Sequence, residues 1–153
     1  MFRNIFLFLV WACLAGPAFG GSKNPFRVET TDAVLKKGEK GQVQVIVRVP
    51  EQHHLYRDMM EVSRVSDDAS ASVVTDEASF PPGFTKPDPA DPSATREQYD
   101  MDVIINIPIA KVDAPGTYSL KFEVRYQGCK KSLCWMPQTE TVEAVVKVGG
   151  GEK

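Results

Sequence analysis

Hydrophobic and polar residues alternate with a period of two along much of this chain. Val43, Val45, Val47 and Val49 are separated by Gln44, Ile46 and Arg48. Tyr99, Met101, Val103, Ile105 and Ile107 alternate with largely polar partners, and Tyr118, Leu120, Phe122, Val124 and Tyr126 do the same. Successive side chains of a strand point to opposite faces, so runs of this kind predict strands with one buried face. Shorter candidates are Phe26 to Val28, Ala33 to Leu35, Leu55 to Tyr56, Met60 to Val65, Ser72 to Thr75 and Val142 to Val148. Turn residues divide them at Lys37-Gly38-Glu39-Lys40-Gly41, at Pro50-Glu51-Gln52 and at Asp113-Ala114-Pro115-Gly116. No window has the periodicity of an amphipathic helix, and no internal repeat is visible. About eight strands at this spacing predict an all-β fold, an immunoglobulin-like antiparallel β-sandwich.

One connection breaks the pattern. Between Phe80 and Thr95 lie Pro81, Pro82, Pro87, Pro89 and Pro92, five of the chain's 11 prolines. Proline removes a ladder donor, so this stretch is not a central strand. It reads as a stiff surface loop, or as a lid or docking loop of the kind that long connections in compact domains often form.

The first residues read as an export signal spanning 1–20. Arg3 supplies the positive start, Ile5 to Leu14 an apolar stretch of ten residues, and Ala18-Phe19-Gly20 the small residues of a cleavage site. The stretch is shorter than the roughly 20 apolar residues of a membrane span. Cys13 raises a lipoprotein alternative, but bulky Trp11 sits where such signals usually carry a small residue, so a cleaved signal and a periplasmic location are expected. Residues 21–148 then form one domain, and 149–153 a glycine-rich tail. Loss of Arg3 leaves 17 basic against 20 acidic residues, a balance that recommends neither nucleic acid nor an anionic membrane as partner. The protein is expected to act as a monomer.

Once the signal is gone, Cys129 and Cys134 are the only cysteines left. Tyr126 ends one strong strand and Thr139 or Thr141 begins another, so the pair flanks a four-residue tip on opposite arms of a hairpin-like connection, within reach of a disulfide. Closing about six residues removes little unfolded-chain entropy, about 2 kcal/mol. A domain of this length can bury an adequate core without such help. A bridge of this kind suits opening and closing, yet structural disulfides are common in exported proteins, and composition and spacing alone leave both readings open. Zinc fits poorly, because only two thiolates are present. No cofactor is called for.

The segment Tyr126-Gln127-Gly128-Cys129, then Cys134, Pro137 and the run Gln138-Thr139-Glu140-Thr141-Val142, resembles the active-site segment of the periplasmic N-terminal domain of the disulfide interchange protein DsbD. The upstream His54-Leu55-Tyr56-Arg57 and Phe80-Pro81-Pro82-Gly83 fall where that family has a Tyr-Leu-Tyr-Arg-like strand and a Leu-Pro-x-Gly turn, so the resemblance covers about residues 26 to 148. It implies an immunoglobulin-like domain whose cysteine pair receives electrons from a membrane-embedded thiol transporter and passes them to periplasmic thioredoxin-fold proteins. The activity implied is that of a protein-disulfide reductase or a component of one. By resemblance Cys134 is the sulfur shared with partners and Cys129 the resolving one. Tyr56, Tyr126, Trp135 and Pro137 are the expected residues of the partner-binding rim, Trp135 foremost because aromatic anchors dominate interfaces.

Three departures qualify the resemblance. The best-known members have five residues between the cysteines, where this chain has four. Their cap loop lays an aromatic side chain over the disulfide, whereas Pro87 to Ala94 has none, so an uncapped bridge is expected. The full-length family protein continues into membrane helices and a thioredoxin-like domain that this sequence lacks, so its electron donor is expected in another polypeptide.

Two rival functions remain. His53, His54, Met59, Met60, Met101 and Met136 suggest copper handling, although Met101 fits the buried alternation of its run and adjacent histidines on a strand face opposite ways. An immunoglobulin-like binding or scaffold domain with a structural disulfide is the other.

Overall fold

The computed structural model describes residues 23–65 and 70–150, so the expected signal segment lies outside the described residues. Thirteen strands are present among them: β1 (Arg27–Thr30), β2 (Ala33–Lys36), β3 (Gly41–Arg48), β4 (His53–Tyr56), β5 (Glu61–Val65), β6 (Val73–Thr75), β7 (Phe84–Pro87), β8 (Thr95–Tyr99), β9 (Val103–Val112), β10 (Gly116–Tyr126), β11 (Gly128–Lys130), β12 (Leu133–Cys134) and β13 (Gln138–Gly149). No helix among the described residues is long and apolar enough to cross a membrane.

The strands form three sheets, ordered β1-β3-β9-β6, β2-β13-β10-β5 and β12-β11-β4-β8-β7. All pairings are antiparallel except that of β2 with β13. Alternation decides what is buried. Val43, Val45 and Val47 of β3, Val103, Ile105, Ile107 and Ile109 of β9, Leu120, Phe122, Val124 and Tyr126 of β10, and Ala144, Val146 and Val148 of β13 all point inward and belong to one hydrophobic cluster. The first two sheets thus face each other across a shared core, the immunoglobulin-like sandwich that period two predicts. Each fully buried aliphatic side chain contributes about 1.5–3 kcal/mol, so these repeats rather than the short disulfide loop carry the fold.

Two expectations need correction. The run from Tyr99 to Ile107 is two strands, not one: β8 ends at Tyr99 in the third sheet and β9 begins at Val103 in the first. Polar anchors hold the break between them. Asp102 accepts the Val49 amide at 2.9 Å and pairs with Arg48 at 2.7 Å, while Asp100 pairs with Lys86 at 2.5 Å. Met101 falls in that break and is exposed rather than buried. The proline-rich connection also contains more structure than a loop. Its Phe84–Pro87 segment is β7, at the edge of the third sheet, where a missing amide donor is tolerated.

Candidate functional site

The third sheet carries the cysteines on its outer strands. Cys129 of β11 lies directly opposite Cys134 of β12, and the two are joined by a disulfide with a Cα separation of 3.9 Å. Lys130 and Leu133 also pair, so the tip is a two-residue turn, Lys131-Ser132, rather than the expected four residues. Lys131 has φ of 54°, the positive value that mirror-image hairpin turns require at their first central position. The hairpin is asymmetric: Cys129 is 0% exposed, whereas Cys134 is half-buried. Exposed apolar side chains adjoin Cys134 in sequence, Leu133 at 68% and Met136 at 79%.

One face of this sheet anchors the hairpin to the core. Gly128 lies opposite Leu55, which in turn lies opposite Tyr99. The Phe26 ring sits on Gly128 and meets His53, Trp135 and Tyr126 edge-on, with centroids 5.6, 5.9 and 6.0 Å away. The backbone repeats the attachment: the Trp135 amide donates to the Gly128 carbonyl at 2.9 Å, and Gln127 Nε2 to the Trp135 carbonyl at 3.0 Å. Tyr126 is fully buried; its hydroxyl accepts from Asn24 Nδ2 at 2.7 Å and donates to Glu140 Oε1. Burial first, and the Glu140 carboxylate second, push its ionisation far above the usual tyrosine value.

The opposite face carries the chemistry. Register places Cys134, Cys129 and His54 in a row across β12, β11 and β4, and directly opposed residues share a face. Tyr56, two residues along β4, follows on the same face, opposite Gln98. The Tyr56 hydroxyl donates to Asp88 Oδ1 at 2.7 Å, and the Arg96 guanidinium lies 3.7 Å over the Tyr56 ring. Arg96 also contacts both carboxylate oxygens of Asp58 at 2.6 and 2.7 Å. Burial first, and the Asp88 carboxylate second, push Tyr56 up to about 12, so it stays a hydrogen-bond donor at any physiological pH. Asp88 is held below the usual carboxylate range, chiefly by the Tyr56 hydroxyl and then by the Ala90 amide. Asp88 begins a closed turn, its amide donating to the Ala94 carbonyl at 2.9 Å. The Pro87 to Ala94 stretch is therefore pinned to the disulfide-bearing face by a carboxylate, not by an aromatic ring.

Burial puts Tyr56 and Tyr126 beneath the surface, where they shape the site instead of offering contact area. Trp135 is half-buried against Phe26 and His53, and Pro137 is exposed. His53 and His54 point to opposite faces of β4, one towards Phe26 and Trp135 and the other towards Tyr56, so they cannot share one metal ion. No group of three His, Cys, Asp or Glu residues able to hold a metal occurs among the described residues. Phe26, Gly128 and Asp88 were not legible as site residues. Only Gly128, next to a cysteine, carried a local signal, since a glycine there often marks a close approach.

A family model described as "Thiol:disulfide interchange protein DsbD, N-terminal" matches residues 24–146, both cysteines included. The chain belongs to that family. No curated protein sequence matches it. Among solved structures, the DsbD N-terminal domain of Neisseria meningitidis in its reduced form is similar, with 21% identity, 76% of this chain and 82% of that one covered, and a TM-score of 0.51. A structure of the complex between the DsbD N-terminal and PilB N-terminal domains from the same organism matches at 22% identity, over 77% of this chain and 80% of that one, with a TM-score of 0.52. At these identities the likeness to the DsbD structures is one of fold.

Because the core does not depend on the bridge, the Cys129→Ser, Cys134→Ser double variant is expected to unfold cooperatively and to lose about 2 kcal/mol or less in a urea titration. Loss of cooperativity would return the pair to a structural role.

Proposed function

We propose that this protein is an exported thiol–disulfide exchange protein, a protein-disulfide reductase or a component of one. It relays electrons through Cys129 and Cys134 from a membrane-embedded thiol transporter to periplasmic thioredoxin-fold proteins. Membership of the DsbD N-terminal family supports the chemistry. The single observation that carries the reading is the unequal burial of the two cysteines: Cys134 is half-buried and open to an attacking thiolate, while Cys129 is fully buried and closed to it.

Exchange proceeds by attack of a thiolate on one sulfur, a mixed disulfide, and release by the second cysteine. Cys134 is the sulfur shared with partners and Cys129 the resolving one. Exposed Leu133 and Met136, half-buried Trp135 and exposed Pro137 flank Cys134 in sequence and are the apolar residues offered to a docking partner. Tyr126 supports Trp135 from beneath through the Phe26 ring, and Tyr56 holds the Asp88 loop on the cysteine-bearing face. The complex of the related DsbD domain with the PilB N-terminal domain supports a protein partner for this surface.

The test is reduction of the oxidised protein by a reduced thioredoxin-like protein, followed by free-thiol counting. Transfer of two electrons per chain is expected. Resistance to the donor under conditions where it reduces other protein disulfides would sink the proposal.

A further inference from the structure

The resolving cysteine has a problem that the hairpin alone does not solve. Cys129 is fully buried, and a buried thiol resists ionising because the thiolate loses its hydration. Resolution nevertheless requires that sulfur to attack as a thiolate. No water-exposed route for its proton is provided by Cys129 itself.

Its cross-strand neighbour on the side away from Cys134 is His54. That imidazole is 7% exposed, and its Nε2 is buried without a hydrogen-bond partner. Orphaned buried polar atoms are uncommon and ask for an explanation. The oxidised state offers one: the disulfide sulfur of Cys129 bears no hydrogen to donate, whereas the reduced thiol does.

We propose that His54 is the acid–base group of the Cys129 sulfur, taking its proton when it attacks and returning it when it leaves. The inference rests on the exchange reading given above. In resolution, the Cys129 proton passes to His54 as Cys129 Sγ attacks Cys134 Sγ. The bond between Cys134 and the partner's sulfur breaks, its electron pair stays on the partner's sulfur, and that thiolate takes a proton from water. The cysteine pair loses two electrons and the partner's disulfide gains them. Reduction runs the other way: a donor thiolate attacks Cys134, Cys129 leaves with the electron pair, and His54 relays to it a proton drawn from water. The donor's second thiolate then attacks its own partner sulfur in the mixed disulfide and frees Cys134, so the donor dithiol loses the two electrons that the pair gains.

The Tyr56 ring faces His54 edge-on at 5.1 Å, and the charges that act on the imidazole are Asp88 of the proline-rich loop, Asp100 of the turn after β8, Lys86 of β7 and, from the other face of its own strand, His53. Burial dominates and lowers its ionisation below the ordinary 6.5, the two carboxylates work against this, and Lys86 and His53 add to it. At pH 7 the ring is thus neutral and able to accept a proton.

The experiment uses the reduced full chain and a chromogenic aromatic disulfide over a range of pH. The first thiolate released marks capture by Cys134 and the second marks resolution by Cys129. His54→Gln is expected to leave the first phase unchanged, to slow the second about a hundredfold at pH 7, and to move its inflection up past the ordinary thiol value of about 8.5. Superimposable second-phase profiles would overturn the proposal. Should His54→Gln fail to fold, NMR titration of the wild-type His54 ring decides: a different midpoint in the oxidised and reduced protein supports it, and the same midpoint refutes it. Absence of the first phase in the wild type would instead refute the exchange reading.

Discussion

Cys129→Ser is expected to accumulate a mixed disulfide with a thioredoxin-like partner, and Cys134→Ser to accumulate none. The expectation follows from access. An attacking thiolate must reach the sulfur along the line of the bond it breaks, and exchange rates depend on which sulfur is open to it. Cys129 is 0% exposed and lies between β12 and β4, whereas Cys134 sits at the edge of the sheet between exposed Leu133 and half-buried Trp135. With Cys129 replaced, the adduct on Cys134 has no resolving thiol and persists. With Cys134 replaced, the remaining thiol is buried. Non-reducing electrophoresis after mixing each variant with an oxidised partner reads the outcome directly. Equal trapping by both variants would show that burial in the resting protein does not govern the order of events.

Gly128→Ala should be the most damaging single substitution near the site that touches no reactive atom. A Cβ built on Gly128 would lie 2.0 Å from Phe26 Cε2 and 2.2 Å from its Cζ, where real contacts are not found. The ring has nowhere to retreat, since it is itself buried and hemmed by His53, Tyr126 and Trp135. Either the hairpin or Phe26 must leave its place. Full truncation of a buried phenylalanine costs about 3–5 kcal/mol, and overpacking typically about 1–3, so a loss of about 3 kcal/mol is expected in urea unfolding. Trp135, attached to Gly128 by a backbone hydrogen bond, should report the displacement by its fluorescence. A double-mutant cycle isolates the cause. In a Phe26→Ala background the same glycine substitution should cost less than about 1 kcal/mol, because the clash has been removed. An undiminished cost there would mean that Gly128 is required by the backbone and not by Phe26.

The sandwich was legible because its evidence is local. Val43 to Val47 and Leu120 to Tyr126 repeat with period two, and each repeat declares its own buried face. The same rule misread Tyr99 to Ile107, because Met101 keeps the parity of a strand while the aspartates on either side of it, Asp100 and Asp102, bind Lys86 and Arg48 and break the chain between sheets. Such partners lie far away in sequence and leave no periodic trace. The Asp88–Tyr56 bond spans 32 residues, and nothing beside Asp88 announces it. Gly128 needs Phe26, roughly a hundred residues earlier, to have its meaning. The cysteine pair could be read because its spacing is short, but the turn between the cysteines could not. Lys131-Ser132 lacks the glycine or asparagine that usually marks a positive φ, and a lysine held there costs about 1–2 kcal/mol that the sheet must offset. His54 opens the run His54-Leu55-Tyr56-Arg57, yet its position beside Cys129 depends on the register of β4 against β11.

The proposed relay requires that Cys129–Cys134 exchange with other thiols under conditions that periplasmic partners can supply. Equilibrating the protein in a series of thiol–disulfide buffers and counting free thiols after acid quenching gives its reduction potential. A value above about −300 mV is predicted, within reach of thioredoxin-fold proteins. A value well below about −300 mV would make the bridge a structural one and contradict the relay.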